Sequence, residues 1–352
     1  MKRRRVVLLI TMLVFALIFL LVALSLPPVE KPVPPAPFDI YSVNLKVGPP
    51  YNVPAGIFIT SIYGFDFPNE RYSVIFWLWT TYDTEKLKSV AGADYVPFQK
   101  IEVVNALNKI ISPTEQYIIP NPDGSTYAIA KFTAVINQHW DVRNFPLDKQ
   151  NLTLVLESVG STSSDLHFVP DLENSLISEE LLLSGWKIGQ LKLEALNYEY
   201  KSTFGDPSQK YGVYPRLLVQ IPIQRVGGRL FINAFLGFFI SFIITSMLYL
   251  LDTDMLSSRL GLIMTALFAA VGNKYTIDSY FPNQTTFSLS DLVQIASFLI
   301  IAIGLVTTML GLRLVKLEKH ELAVTIDRWT LGLTVPLYIF SIAFGVWLAL
   351  RA

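Results

Sequence analysis

The apolar residues of this chain are concentrated near its start and after residue 225. The first apolar segment, residues 6–24, is almost entirely Val, Leu, Ile, Phe and Ala, and it follows a basic cluster at residues 2–5. A basic start followed by an apolar run predicts a secretory signal peptide or a signal anchor over residues 1–25, and both alternatives stay open. In either case the basic cluster stays in the cytoplasm and the residues that follow lie outside it.

Between residues 38 and 225 the pattern changes. Polar and apolar side chains alternate in short runs such as 72–79 and 152–156, which favours strands. Turn signals separate these runs, because Pro, Asn, Asp and Gly gather between them. The preceding residues, 26–37, include six prolines and predict a stiff linker. The sequence therefore predicts a Pro-rich linker over residues 26–37 and a β-sandwich over residues 38–225.

The last part of the chain, residues 226–352, predicts a transmembrane four-helix domain. Its apolar segments are residues 230–251, 259–277, 289–314 and 329–350. A segment of 22 residues, such as the first, gives about 33 Å of helix, enough to cross a bilayer. The predicted fold class is an extracellular all-β sandwich followed by a four-helix transmembrane bundle.

Basic residues set the expected orientation of this bundle. The pattern assigns four basic residues to the link before the last helix: Arg313, Lys316, Lys319 and Arg328. Cytoplasmic links are enriched in Lys and Arg, so this link should be cytoplasmic. We therefore expect an integral protein of the cell (inner) membrane, with the large β domain on the extracellular or periplasmic side.

Composition agrees with a membrane protein and excludes other classes. Hydrophobic residues make up 52% of the chain and charged residues 16%. Lys+Arg and Asp+Glu are equal at 28 each, so no basic field attracts nucleic acid. The chain has no Cys and its 3 His are far apart, so we expect no metal site and no cofactor. With no nucleophile–base pair and no phosphate-binding glycine loop, we do not expect an enzyme.

The second apolar segment carries small and polar residues where a helix surrounded by lipid would be apolar. Steps of three and four place one stripe of residues on one face: Ser258, Gly261, Thr265, Phe268, Gly272, Tyr275 and Ser279. Such a stripe is typical of close helix packing or of a water-filled path. Phe268 favours the path, because a ring of bulky apolar side chains can gate a pore by dewetting. Periodicity alone leaves both interpretations open.

Four motifs in order resemble the pentameric ligand-gated ion channels, the Cys-loop receptor superfamily, in its prokaryotic branch. The strongest is residues 141–151, Asp-Val-Arg-Asn-Phe-Pro-Leu-Asp-Lys-Gln-Asn, similar to the loop that two bridged cysteines enclose in animal receptors. Gln138 and Leu152 stand at the cysteine positions, as in prokaryotic members, which lack the bridge. The other motifs are residues 56–79, residues 95–105 and Arg225.

The resemblance implies a homopentamer in membrane lipid, with five copies of the second helix around a pore for monovalent ions. The stripe then becomes the pore wall and Phe268 its hydrophobic gate. An effector, either a small molecule or protons, would act on the sandwich and shift the population towards the open state. The implied coupling residues are Asp66, Phe145, Pro146, Asp148 and Arg225. For Asp66, Asp148 and Arg225 the alternative is a static ion pair or a turn cap.

The ligand site implied by the resemblance is incomplete in this chain. Receptors of the family bind amines in an aromatic box, and one of its loops corresponds here to residues 158–165, which contain no aromatic residue. The remaining ligand-binding candidates are Trp79, Tyr198, Tyr200, Phe204 and Tyr211. Packing within β-hairpins is the alternative role for these aromatics. His139, beside the coupling loop, is the candidate for a proton effector.

Two further departures concern the bundle. Its first helix lacks the proline that many relatives carry, and serines stand where cation-selective members place a glutamate ring. Asp252, Asp254 and Asp278 could supply acidic charge near the two ends of the pore, so we expect a preference for cations. The alternative function is a non-conducting membrane sensor or scaffold that uses the same architecture and a β-sandwich binding domain.

Overall fold

The computed structural model describes residues 50–91, 98, 100–159, 161–203, 205, 212–226, 228–281 and 286–351. The predicted signal segment, the Pro-rich linker and the first residues of the predicted sandwich lie outside the described residues. Phe204, Tyr211 and residues 95–97 of the third motif lie outside them as well.

The described part of the chain before residue 226 forms two sheets and one short helix, α1 (Thr84–Ala91). The strands are β1 (Tyr51–Asp66), β2 (Arg71–Asp83), β3 (Ile101–Val103), β4 (Ala106–Pro120), β5 (Ser125–Asn137), β6 (Lys149–Ser158), β7 (Leu166–Pro170), β8 (Leu176–Ile177), β9 (Trp186–Ile188), β10 (Lys192–Glu199) and β11 (Val213–Arg225). One sheet has the order β4-β5-β2-β1-β7, with β8 also paired to β1. The other has the order β10-β11-β6-β3, with β9 also paired to β11.

The alternation that predicted strands is the alternation of burial. In β2 the even-numbered residues from Tyr72 to Tyr82 are buried, and in β11 the odd-numbered residues from Leu217 to Ile223 are buried. These inward faces form the core between the two sheets. The Tyr72 hydroxyl donates a hydrogen bond from β2 to the Thr153 carbonyl of β6, at 3.1 Å. The predicted sandwich-like β region is therefore confirmed.

Four helices follow, and all four are long and apolar enough to cross a membrane. They are α2 (Gly228–Met247, continued by a 3₁₀ turn at Leu248–Leu250), α3 (Leu256–Tyr280), α4 (Leu289–Lys316) and α5 (His320–Arg351). The coarse prediction, a β region followed by four helices long and apolar enough to span a membrane, is confirmed. Each helix begins or ends a few residues away from its predicted bounds.

The predicted link before the last helix is wrong in extent. Arg313 and Lys316 lie in the last turn of α4, Arg328 lies inside α5, and only Lys319 lies between the two helices. Hydropathy marks only the apolar part of a helix, whereas α5 begins nine residues earlier with a charged turn that buries Ala323 and Asp327. The basic residues still gather at one end of the helix pair, so the expected orientation is unaffected.

Candidate functional site

The junction between the sheets and the helices is built around Arg225, the last residue of β11. Its Nε donates to Asp148 Oδ1 at 2.7 Å and its Nη2 donates to Asp148 Oδ2 at 3.2 Å, which makes a bidentate ion pair. Asp148 is 1% exposed and Arg225 10% exposed. The guanidinium also lies 4.1 Å from the centre of the Trp186 ring. The predicted coupling residues Asp148 and Arg225 are therefore directly paired and buried.

A buried glutamine shapes the loop that contains the Phe145-Pro146 motif. Gln150 donates to the Asp141 carbonyl at 2.7 Å and to Asp148 Oδ2 at 2.8 Å, while its Oε1 accepts from the Asp141 amide at 3.0 Å. The Phe145–Pro146 peptide bond is cis. Gln138, at a predicted cysteine position, accepts a hydrogen bond from the Thr153 amide at 3.1 Å. Side-chain amides thus close this loop.

The same loop contacts the helices directly. The Phe145 ring lies 4.8 Å from the Phe281 ring, one residue after α3 ends, and Phe67 of the β1–β2 turn lies 5.4 Å from Phe281. At the start of α4, the Leu289 amide donates to the Arg143 carbonyl at 2.8 Å. The end of α3 and the start of α4 are therefore both joined to the loop by described contacts.

Asp66, the third charged residue predicted for coupling, is in a different environment. It caps the β1–β2 turn by accepting hydrogen bonds from the Asn69 amide and side chain, and it pairs with Arg71 at 3.0 Å. The hydrogen bond from the Asn69 side chain is the main reason why the pKa of Asp66 is lowered. This is the turn-cap alternative stated for Asp66, and the residue does not join the buried pair of Asp148 and Arg225.

Two more pairs of polar side chains lie at the loop. Arg143 donates to the Asp141 carboxylate, and this hydrogen bond is the main cause of a lowered pKa of Asp141. His139 Nδ1 lies 2.9 Å from Glu70 Oε1, with the histidine side chain 85% exposed. His139 is therefore beside the loop, as predicted, but on its outer surface.

The stripe predicted on the second apolar segment coincides with the exposed face of α3. All seven predicted pore residues, Ser258, Gly261, Thr265, Phe268, Gly272, Tyr275 and Ser279, are exposed. Phe268 and Tyr275 are each 69% exposed. The buried residues of α3, which face the rest of the chain, are Arg259, Ile263, Ala266, Ala270 and Ile277.

The chemistry of this face differs from that of the neighbouring helix. From Leu236 to Met247, every exposed residue of α2 is Leu, Ile or Met, as expected of a surface in contact with lipid tails. The exposed face of α3 instead carries hydroxyl groups. The Thr265 hydroxyl donates a hydrogen bond to the Gly261 carbonyl at 2.9 Å. Thr276 likewise donates to the Gly272 carbonyl at 3.1 Å.

The glycines of the stripe are not sites of close packing within the chain. A Cβ built at Gly261 or at Gly272 meets no described atom within 4 Å. By contrast, a Cβ at Gly237 of α2 would lie 2.7 Å from Asn273 of α3. Of the two interpretations of the stripe, packing against this chain's own helices is therefore not what Gly261 and Gly272 do.

A buried arginine holds the N-terminal end of α3. Arg259 is fully buried, and its guanidinium donates to the Leu251 and Asp252 carbonyls and to the Asp327 carboxylate of α5. At the opposite end, Asp278 pairs with Lys274 one turn before it. Among the described residues, the carboxylates of Asp252 and Asp254 pair with no basic side chain, and both residues are exposed.

Two of the predicted ligand-binding aromatics come together, and a basic side chain lies against them. Tyr198 and Tyr200 pack edge to face at 4.9 Å. The Arg216 guanidinium lies 3.5 Å from the centre of the Tyr198 ring and donates to Glu157 Oε2 at 2.5 Å and to the Tyr200 hydroxyl at 2.9 Å. Burial is the main cause of a raised pKa of Tyr200. Trp79 lies in the other sheet, where its Nε1 donates to Asp171 at 3.1 Å.

The comparison with known families adds no assignment. No family model matches this chain. The resemblance to pentameric channels therefore depends on the quoted motifs, and membership of that family stays a prediction.

Sequence reasoning missed several residues of these sites. They are Trp186, Gln150, Phe281, Arg259, Asp327, Glu157 and Arg216. Most act through partners far away in the sequence, and those pairings are set by the folded chain. A signal existed for one pair: once the register of β6 and β11 is known, Glu157 and Arg216 stand directly opposite as unlike charges.

Proposed function

We propose that this chain is the subunit of a homopentameric ligand-gated ion channel, in which α3 lines the pore. The observation that carries the proposal is the exposed face of α3. It carries glycines and hydroxyl side chains along its length, interrupted by Met264, Phe268 and Tyr275, whereas the exposed face of α2 from Leu236 onward is wholly apolar. A polar face pointing at lipid is costly, so it needs water or other protein in front of it.

Five copies around a central axis satisfy this need. A head-to-tail ring places the same helix face of every copy towards the axis and closes without a free end. A water-filled centre would then hydrate the hydroxyls, while the apolar faces of the other helices meet lipid. The ring of Phe268 side chains narrows the path at mid-membrane, where dewetting can close it.

Effector control is supported by the contacts at the junction. The loop with Phe145 contacts Phe281, the residue after α3, and the pair of Asp148 and Arg225 holds the same loop to the end of β11, just before α2. A rearrangement of the sheets would change these contacts first. An effector that favours one arrangement would thereby shift the population of the pore.

The preference for cations is supported by the direction of the hydroxyl protons. The Thr265 hydroxyl donates a hydrogen bond to the Gly261 carbonyl of its own helix, so the lone pairs of the hydroxyl oxygen point towards the exposed side. Asp252 and Asp254 add exposed carboxylates just before the N-terminal end of α3, whereas the positive charge of Arg259 is buried. Lone pairs and carboxylates attract cations.

The test is to reconstitute the full chain in planar bilayers and record current across a potassium chloride gradient. Phe268→Ala should raise the current at least tenfold, because the narrowest apolar ring is widened, and the reversal potential should follow the cation gradient. Phe340→Ala is the matched control, since Phe340 is 59% exposed on α5 and should face lipid. If native and Phe268→Ala chains both assemble in the bilayer and neither conducts, the channel proposal fails and the sensor or scaffold alternative takes its place.

A further inference from the structure

One polar side chain joins α2 and α3 within the bundle. Asn273 Nδ2 donates to the Ala234 carbonyl at 2.8 Å, and Asn273 Oδ1 accepts from the Gly237 amide at 2.9 Å. Both partners are backbone groups of α2, three residues apart. The amide therefore bridges one turn of the neighbouring helix with a donor and an acceptor at the same time.

The glycine of α2 makes this contact possible. A Cβ at Gly237 would lie 2.7 Å from both the Cβ and the Oδ1 of Asn273. A larger residue would push the two helices apart, because the obstructing Cβ belongs to the base of the side chain and cannot turn away. Gly237 and Asn273 thus form one close contact, and each depends on the other.

Asn273 shares a side of α3 with the buried Arg259. The two residues are 14 positions apart, which is about 21 Å along the helix and leaves them within about 40° of each other around it. Phe268 lies nine positions after Arg259 and therefore points to the opposite side. The helix is fixed at two points along its inner side, by Asp327 near one end and by α2 towards the other.

We infer that Asn273 is a positioning residue that sets the rotation of α3, and with it the direction in which the Phe268 face points. Rotation or sliding of α3 against α2 must break both hydrogen bonds of the half-buried Asn273 amide. The contact therefore favours one arrangement of the helix over others. The consequence for conduction rests on the proposed function, whereas the geometry does not.

The chain's lack of cysteine makes the rotation measurable. Single cysteines would be placed on the exposed face (Thr265→Cys, Gly272→Cys) and on the buried face (Ala266→Cys, Ala270→Cys) of the full chain in lipid vesicles. A water-soluble methanethiosulfonate is added and the modified fraction is followed by mass spectrometry. In the otherwise native chain, only the exposed-face cysteines should react.

Asn273→Leu should reduce the ratio of exposed-face to buried-face reaction rates about tenfold, as expected for the loss of two hydrogen bonds between membrane helices. Gly237→Ala should act in the same direction. Two matched controls should leave the ratio unchanged: Asn233→Leu, which alters an exposed asparagine of α2, and Gly332→Ala, where an added Cβ meets nothing within 4 Å. An unchanged ratio in Asn273→Leu overturns the inference.

A different result would count against the channel and not against the contact. If no cysteine on either face reacts in the native background, α3 borders no water and the proposed function fails. Melting temperatures then test whether Gly237 and Asn273 stabilise the protein through their contact. If Gly237→Ala lowers the melting temperature less when combined with Asn273→Leu than when made alone, the two residues act together; an equal loss in both backgrounds overturns the inference.

Discussion

Three arginine side chains are largely or fully buried, and each pairs with a carboxylate far away in the sequence: Arg216, Arg225 and Arg259. Their side chains are 11%, 10% and 0% exposed. Two of them also lie over aromatic rings, at 3.5 Å for Arg216 on Tyr198 and 4.1 Å for Arg225 on Trp186. A planar guanidinium can stack and donate in its plane at once, which lysine cannot. Replacing any of these arginines by lysine is therefore not a conservative change.

The buried ion pair of Asp148 and Arg225 at the junction gives a prediction for a single residue. Asp148→Asn should destabilise the chain by about 3–5 kcal/mol, because the Arg225 charge is left buried without its counter-charge. Thermal unfolding of the purified chain in detergent measures this. Asp66→Asn is the control, since its pair with Arg71 is partly solvated and the asparagine oxygen can still accept from the Asn69 amide, so the transition should shift much less. Equal shifts for both variants would contradict the assignment of Asp148 to a buried pair.

The lowered pKa of Asp141 gives a prediction about pH. A lowered pKa means that Asp141 stabilises the fold while it is charged, so its contribution is complete above the ordinary aspartate value, about 3.9, and is lost as pH falls through the lowered value. Arg143→Gln should remove that contribution. The difference in melting temperature between native and Arg143→Gln chains should therefore be constant from pH 7 to pH 5 and shrink only below about pH 4. A difference that already shrinks near pH 6 would show that another group is titrating.

Single residues were the hardest level to predict from the sequence. Asp148 and Arg225 could be named only through the resemblance, as coupling residues; the structure pairs them with each other, and their coupling role stays a prediction. The partner of Arg259 could not be named, because Asp327 is 68 positions away on another helix. Tyr198 and Tyr200 do lie together, yet Arg216 against them could not be foreseen without the register of the strands. Pairings across the chain depend on the fold and leave no local pattern.

Elements were predicted better, because their patterns are local. The period of two in residues 72–79 and 152–156 corresponds to β2 and β6, and the stripe of α3 is the exposed face of that helix. Helix ends were predicted less well. Hydropathy cannot locate a helical turn that is polar, such as the start of α5, since contacts to other elements hold that part of the helix: Ala323 is buried and Asp327 pairs with Arg259.

The start of α4 gives a prediction for an element. Ser288 caps this helix: its hydroxyl accepts from the Asp291 amide, and the Asp291 carboxylate accepts from the Ser288 amide in return. Ser288→Ala should cost about 0.5–2 kcal/mol of stability and speed hydrogen exchange in the first turn of α4. Ser246→Ala is the control, because that hydroxyl only donates to its own helix, to Phe242. Unchanged exchange in the first turn would refute the cap.

For the whole molecule, the proposed ring makes a prediction about assembly. Native mass spectrometry of the detergent-solubilised chain should give one species at about five times the mass of the mature chain. Dilution should not release monomers if the polar face of α3 must be shielded from lipid. A stable monomer, or a dimer closed by two-fold symmetry, would contradict the ring and with it the pore.

The connection between the sheets and the helices has almost no slack. Only Val226 and Gly227 separate Arg225, the end of β11, from Gly228, the start of α2, and the Val226 amide is itself bound to the Gly185 carbonyl at 2.8 Å. Because two residues limit how far the ends that they join can move apart, the two parts should melt together in one calorimetric transition. Inserting Gly-Ser-Gly after Val226 should split that transition into two, whereas the same insertion at the exposed turn at residues 122–124 should not. The sheets and the helices are thus joined by two residues of backbone together with the contacts of Phe145 and Arg143.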